Sequence, residues 1–320
     1  GMAAISTTLM GLAPTGSVIL QSTPLYGGTE SLIRKFLPNY GIESVDFFAG
    51  AHEDEIHAAA DEALAKGEVS VIYTETPTNP TNDQVDLNVC KRLVDLIEKK
   101  QGKRPYLVVD NTFLGPLWQR PLDHGADLVV YSLTKYVGGH SDLVAGSVSG
   151  AKKWIDAVRA LRNTMGGIAD PNTAWMLLRS LETVELRMQR AGENAAKVCA
   201  MLKNHPKVEG LGYLGMIEDA RQQDIYDRHC LGAGSTFSVF IKGGEAECFR
   251  FLDALKVAKL AVSLGGTETL ASHPASMTHL SVPEGRRAEL GIADNLVRIS
   301  IGIEDADDLV ADFEQALEAV

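Results

Sequence analysis

The apolar positions of this chain follow two different periods. In its first half, short continuous apolar runs alternate with stretches whose apolar residues recur at helical spacing. The runs predict buried strands and the stretches predict amphipathic helices. Strands are expected at 18–21, 42–48, 69–74, 106–109 and 128–131. Helices are expected at 1–12, 29–37, 53–66 and 87–100. Pro14 and Gly16 stop the first, and the last closes on basic residues, as the helix dipole prefers. Strands alternating with helices over 18–148 predict a mostly parallel sheet covered on both faces.

The pattern changes after residue 150. Helices at 151–162 and 172–190 flank Gly166-Gly167. Leu177, Leu178, Leu181, Val184 and Met188 sit at helical spacing in the second, a spine into a second domain, and 193–202 continues it. Residues 235–241 alternate as in an antiparallel strand, and 246–255 read as a helix. Residues 261–266 read as the glycine-ended close of a strand, 296–301 as a strand containing Arg298, and 305–319 as a closing amphipathic helix. The expected fold is therefore α/β, with a large domain over 1–184 and a smaller α+β C-terminal domain over 185–320.

Composition removes several classes of partner. The 320 residues suffice for two domains, and 45% hydrophobic with 22% charged residues suits a soluble globular protein. A net charge of −12 argues against nucleic acid or an anionic membrane. No apolar run reaches membrane-spanning length, and no secretory signal is visible. Cys90, Cys199, Cys230 and Cys248 lie far apart and form no metal-ligand pattern. They read as reduced packing thiols of a cytoplasmic protein without a metal site.

Candidate chemistry sits where strands end. The run closing at Tyr131 leads into Ser132, Thr134 and Lys135, followed by Gly138 and Gly139. A lysine at the mouth of a buried strand loses hydration, so its amine can be neutral near pH 7. Hydroxyls beside it suit an anion, which together suggest a Schiff base with pyridoxal phosphate. Taken alone, the same stretch serves equally as a loop lysine with capping hydroxyls. Gly1 and Met2 begin a helix that could face an anion, or only a plain N-terminal helix behind a stray glycine. Tyr26, held by Gly27 and Gly28, could lie against an aromatic ligand or be a surface residue of a turn. Asn79 lies between Pro77 and Pro80 in a stiff loop, where it could be only a turn residue. Asp110 ends an apolar strand, where a carboxylate needs a cation, a protonated pyridine nitrogen being one and a structural ion pair another. Arg298, flanked by Val297 and Ile299, could meet solvent, an ion pair or a substrate carboxylate. Tyr26, Asn79, Asp110 and Lys135 all follow strands, so chance would have to act four times over.

An ordered set of motifs spans the chain. It includes Tyr26-Gly27-Gly28-Thr29, Thr76-Pro77-Thr78-Asn79-Pro80, Val109-Asp110-Asn111-Thr112 and Ser132-Leu133-Thr134-Lys135-Tyr136. It continues with Ser263-Leu264-Gly265-Gly266, His273-Pro274-Ala275-Ser276-Met277 and Arg298-Ile299-Ser300-Ile301-Gly302. In this the chain resembles the trans-sulfuration family of pyridoxal-phosphate enzymes, which holds the cystathionine γ-synthases and γ-lyases, methionine γ-lyases and homoserine sulfhydrylases. The resemblance implies a fold-type-I pyridoxal-phosphate transferase acting on a small amino acid, assembled as a homodimer or homotetramer. It implies that Lys135 forms the Schiff base and moves protons, that Asp110 keeps the ring nitrogen protonated, and that Tyr26 stacks on the ring. It further implies that Gly1, Met2, Ser132 and Thr134 hold the phosphate and that Arg298, Asn79 and Ser263 bind the substrate carboxylate.

Two departures qualify it. Members of the family carry a further N-terminal segment that reaches the neighbouring subunit's phosphate, so a chain starting at Gly1 is expected to hold the cofactor loosely and turn over poorly. Val262 stands where the cystathionine enzymes tend to have glutamate, which leans towards methionine γ-lyase or a sulfhydrylase, although Gly27 stands where methionine γ-lyases often show cysteine. The cystathionine enzymes remain the alternative. A nucleotide-binding Rossmann protein is disfavoured because no G-x-G-x-x-G follows the first strand. An inactive partner subunit is a third expectation.

Overall fold

The computed structural model describes residues 1–280 and 282–320. The first half forms α1 (Met2–Leu12), β1 (Ser17–Thr23), α2 (Gly27–Ser31), β2 (Glu43–Phe48), α3 (Glu53–Lys66), β3 (Glu68–Glu75), α4 (Leu87–Gln101), β4 (Tyr106–Asp110), α5 (Gly115–Trp118), β5 (Leu128–Tyr131) and β6 (Ser147–Gly150). Its six strands make one sheet in the order β2-β1-β3-β4-β5-β6. All neighbours are parallel except β6, which returns antiparallel to β5. Every residue of β1 is buried, which is why its centre, Val18, Ile19 and Leu20, has apolar residues pointing to both faces. The pleat sends Val18 and Leu20 to one face, under Ile56 of α3 and Leu93 of α4. Ile19 points to the other, under Ile5 and Leu9 of α1. From β1 the chain steps out to β2 and then crosses to β3 on the opposite side. The reversal opens a crevice at the carboxyl ends of β1 and β3, the usual ligand position in such sheets.

Three helices follow, α6 (Lys152–Met165), α7 (Pro171–Leu181) and α8 (Val184–Lys203). The remainder is β7 (Val208–Gly212), α9 (Ala220–His229), β8 (Thr236–Ile241), α10 (Glu245–Ala254), β9 (Lys259–Leu260), β10 (Leu270–Ser272), α11 (Glu284–Glu289), β11 (Leu296–Ser300) and α12 (Ala306–Leu317). These five strands form a second sheet, β7-β8-β11-β10-β9. Val297 and Ile299 face a core built with Val198 of α8, Phe251 of α10 and Phe313 of α12. The alternate positions carry a buried polar row, with Ser272, Arg298 and Ser238 adjacent in register. This row faces the first half of the chain, where Ser238 Oγ donates to Pro80 O at 2.6 Å. Among the described residues no helix is long and apolar enough to cross a membrane, and no cluster of three or more His, Cys, Asp or Glu could hold a metal.

Three elements differ from the pattern. The helix expected at 29–37 stops at Ser31 and passes through a π turn, Leu32–Phe36, into a 3-10 turn, Leu37–Tyr40. Pro38 cannot donate to continue an α-helix, and Gly41 closes the turn at φ 69°. The helix expected at 172–190 breaks at Glu182 and Thr183, where the carbonyl of Ser180 accepts from the Arg187 side chain at 3.0 Å. Residues 261–266 are not a strand. Ser263 has φ 99° and Gly265 φ 71°, outside the β region, and the last bond to β10 is Ala261 N to Ala271 O at 3.0 Å.

Candidate active site

Every residue put forward from the sequence lines one cavity of about 490 Å³ beyond the ends of β1, β3, β4 and β5. These strands are neighbours in the sheet although not all consecutive in the chain, so Tyr26, Asn79, Asp110 and Lys135 converge.

Lys135 sits in a tight turn after β5. Its carbonyl accepts from Gly139 N at 2.7 Å, with Gly139 at φ 70°. Its Nζ donates to Ser263 Oγ at 2.9 Å. Burial lowers the pKa of this amine to about 8, and repulsion from Arg298 adds to the effect. A residue the sequence did not single out braces the turn. Arg187 of α8 donates to Tyr136 O at 2.8 Å and to Val137 O at 3.3 Å. A Cβ on Gly139 would lie 1.8 Å from Arg187 Nη1, so the turn requires glycine there.

Asp110 closes β4 and is buried. Burial pushes its carboxyl up, while the Thr112 hydroxyl and N–H pull it back, donating to Oδ1 at 2.6 and 3.0 Å. Tyr73 OH donates to Oδ2 at 3.3 Å. Thr112 and Tyr73 therefore orient the acid. Glu75 is Asp110's register partner on β3, so both carboxyls leave the same face of the sheet. Glu75 is, like Asp110, an acid ending a buried strand, and it too is a functional residue candidate that its own sequence neighbourhood marks equally.

Tyr26 N donates to Glu75 Oε2 at 2.9 Å. Gly28 gives the Tyr26 ring its room, since a Cβ there would meet Tyr26 Cε1 at 2.6 Å. At the opposite wall, α1 starts beside Ser132, and a Cβ on Gly1 would meet Ser132 Oγ at 2.9 Å. No side chain caps α1 and no acid lies in its first turn, which leaves backbone N–H groups for an anion. Thr134 directs its proton to Ala145 O at 3.1 Å and accepts from Ala145 N at 3.0 Å.

Arg298 neither meets solvent nor pairs with a carboxylate among the described residues. It is 4% exposed and donates to Asn79 Oδ1 at 3.2 Å and Ser263 O at 2.9 Å. Burial lowers its pKa to about 10, which still leaves it charged at neutral pH. A buried cation with an amide beside it and spare donors matches a carboxylate.

This donor set fits pyridoxal phosphate. One wall carries an amine biased to its neutral form, one a buried acid, one an aromatic ring, and one a helix start with hydroxyls.

Comparison with known proteins agrees. Residues 1–318 match the family model described as Cys/Met metabolism PLP-dependent enzyme. Cystathionine gamma-lyase of Bacillus subtilis is 41% identical over 321 residues, covering 100% of this chain and 81% of that protein. L-methionine gamma-lyase of Fusobacterium nucleatum subsp. polymorphum is 39% identical over 322 residues, covering 100% of this chain and 78% of that protein. The solved structure of cystathionine gamma synthase from Xanthomonas oryzae pv. oryzae, in complex with aminoacrylate and cysteine, superposes with a TM-score of 0.90 at 34% identity. That match covers 99% of this chain and 79% of the other. The fold is that of the fold-type-I enzymes. The chain belongs to the Cys/Met metabolism PLP-dependent enzymes, a pyridoxal-phosphate enzyme of trans-sulfuration acting by γ-elimination or γ-replacement.

Proposed function

We propose that the protein eliminates or replaces an uncharged γ substituent, as on methionine or an O-acylated homoserine. The observation that carries this is the distribution of charge along the cavity. The charged side chains lining it, Glu75, Asp110, Lys135 and Arg298, are buried or half-buried. The exposed lining residues, Tyr26, Val144 and Val262, carry no charge. A charged distal group would reach that rim without a partner and lose hydration there.

Pyridoxal phosphate, when bound, supplies an aldehyde that takes up the substrate amine and a ring that draws electrons from the α carbon. The rest falls to side chains. Arg298 and Asn79 receive the α-carboxylate, with Ser263 beside them. Lys135 Nζ would take the Cα proton, pass it on to the bound cofactor and, neutral again, take a Cβ proton, which its lowered pKa permits near neutrality. Asp110 keeps the ring nitrogen protonated. Tyr26 covers the ring and gives a proton to the departing sulfur or oxygen. Met2, the Gly1 backbone and Ser132 hold the phosphate, joined by Thr134 when its proton turns from Ala145.

The 41% identity to a cystathionine gamma-lyase supports a second reading, with cystathionine as the substrate. Steady-state rates on methionine, O-acetylhomoserine with and without sulfide, and cystathionine separate the two. Higher kcat/KM on either uncharged substrate supports the first, and on cystathionine the second.

The active species is proposed to be a homodimer or homotetramer. In α7 only Ser180 is buried, leaving Trp175, Leu178 and Leu181 uncovered. Leu186 on α8 is exposed as well. So wide an apolar surface is a contact for a second copy.

A further inference from the structure

Among the described residues lining the cavity, Glu75 is an ionisable side chain to which the proposed chemistry gives no task. It is 5% exposed at the end of β3, and its own N–H donates to Ser22 Oγ at 3.1 Å. Its carboxyl reaches across to the loop after β1, accepting from Tyr26 N at 2.9 Å. The Tyr26 carbonyl accepts from Glu30 N at 3.0 Å within its own turn, so the bond to Glu75 is the one that reaches another strand. The Tyr26 side chain is 43% exposed, and no side chain caps the short helix it precedes. The N–H bond to Glu75 Oε2 fixes where the Tyr26 backbone leaves the sheet, and Gly28 then lets the ring fold back over the cavity.

We propose that Glu75 is a positioning residue, whose buried carboxyl holds the Tyr26 backbone and so sets the ring cover of the cavity. The inference rests on the residue roles given above. Displacing the Tyr26 loop would leave a buried acceptor unpaired.

Charge explains why the tie can be an acid. Burial, reinforced by the Asp110 carboxyl beside it, pushes the Glu75 carboxyl well above its usual range, against the pull of the Tyr26 N–H. An amide at position 75 would serve as well as the acid, because it keeps a carbonyl oxygen for the Tyr26 N–H.

The test compares Glu75→Gln with Glu75→Met, which keeps the length and removes the acceptor. Measured on each are the dissociation constant for pyridoxal phosphate, kcat and KM, with the melting temperature as a control for folding. Glu75→Gln is expected to stay within about threefold of wild type in all three. Glu75→Met is expected to bind the cofactor about tenfold more weakly, with kcat lowered and KM raised by about tenfold, the loss of roughly one good hydrogen bond. Equal damage in both variants overturns the proposal, because the acid's charge or proton would then matter and not its acceptor. A Glu75→Met enzyme like wild type also overturns it. Should Glu75→Met fail to fold, amide hydrogen exchange in the wild-type holoenzyme still decides. Tyr26 N–H is expected to be protected about a hundredfold or more, as a bonded amide is, and free exchange there overturns the tie. Failure of the substrate assignment alone would change the rates and leave cofactor binding and amide exchange as expected.

Discussion

Lys135 Nζ and Ser263 Oγ lie 2.9 Å apart, joined across 128 positions of sequence. Ser263 holds φ at 99°, a left-handed value that costs a non-glycine residue on the order of 1–3 kcal/mol. Its carbonyl at the same time accepts from Arg298 at 2.9 Å. One strained residue thus contacts both the amine and the guanidinium. Gly265, two residues on, packs against Tyr136, since a Cβ there would lie 2.7 Å from Tyr136 N. The arrangement keeps a cation near Lys135 and favours its neutral form.

The first prediction is a pH dependence. In cofactor-free protein, the rate at which Lys135 captures an aldehyde should rise with pH through a midpoint of about 8. Burial and Arg298 both disfavour the ammonium, so Arg298→Met should move the midpoint upward. Folded protein then carries fewer protons than unfolded chain between about 8 and 10.5, so cofactor-free stability should rise with pH across that window. A wild-type midpoint near 10.5 would contradict the account.

Asp110→Asn keeps the shape at the end of β4 and removes the charge. Some cofactor should remain bound while kcat falls on the order of a hundredfold or more. Absorbance and turnover measured on one preparation check this, and a kcat near wild type would rule out the role given to Asp110.

In the proposed assembly the uncovered face of α7 is buried. Leu178→Glu puts a charge on that face, and burying it unpaired is costly enough to disfavour association. Light scattering at equal concentration should report a smaller species than wild type. An unchanged mass would mean that this face is not the contact.

Val262 is half-exposed at the cavity rim, next to Ser263. Val262→Glu adds a partly screened charge, which should shift the cystathionine-to-methionine ratio of kcat/KM about tenfold towards cystathionine. The same ratio in both proteins would show that the rim does not select the substrate.

The legible and illegible parts of this protein divide by how local their causes are. The strands around 69–74, 106–109 and 128–131 stood out because burial on both faces demands unbroken apolar runs. Ser147–Gly150 did not, because this edge strand is mostly half-buried and carries no such run. Residues 261–266 read as a strand by composition, but Ser263 is bent by partners that are remote in sequence, Lys135 among them. Arg298 meets Asn79 across 219 positions, a pairing no local pattern announces. Arg187 was passed over although a cation on the buried stripe of α8, beside Met188 and Ala191, is itself a signal.

The most direct measurement concerns Lys135. Borohydride reduction of the holoenzyme, followed by peptide mass spectrometry, locates the lysine that carries the cofactor. The account predicts a reduced pyridoxyl group on Lys135, with no such adduct in Lys135→Ala. The same group fixed on any other lysine would contradict the placement of the active site.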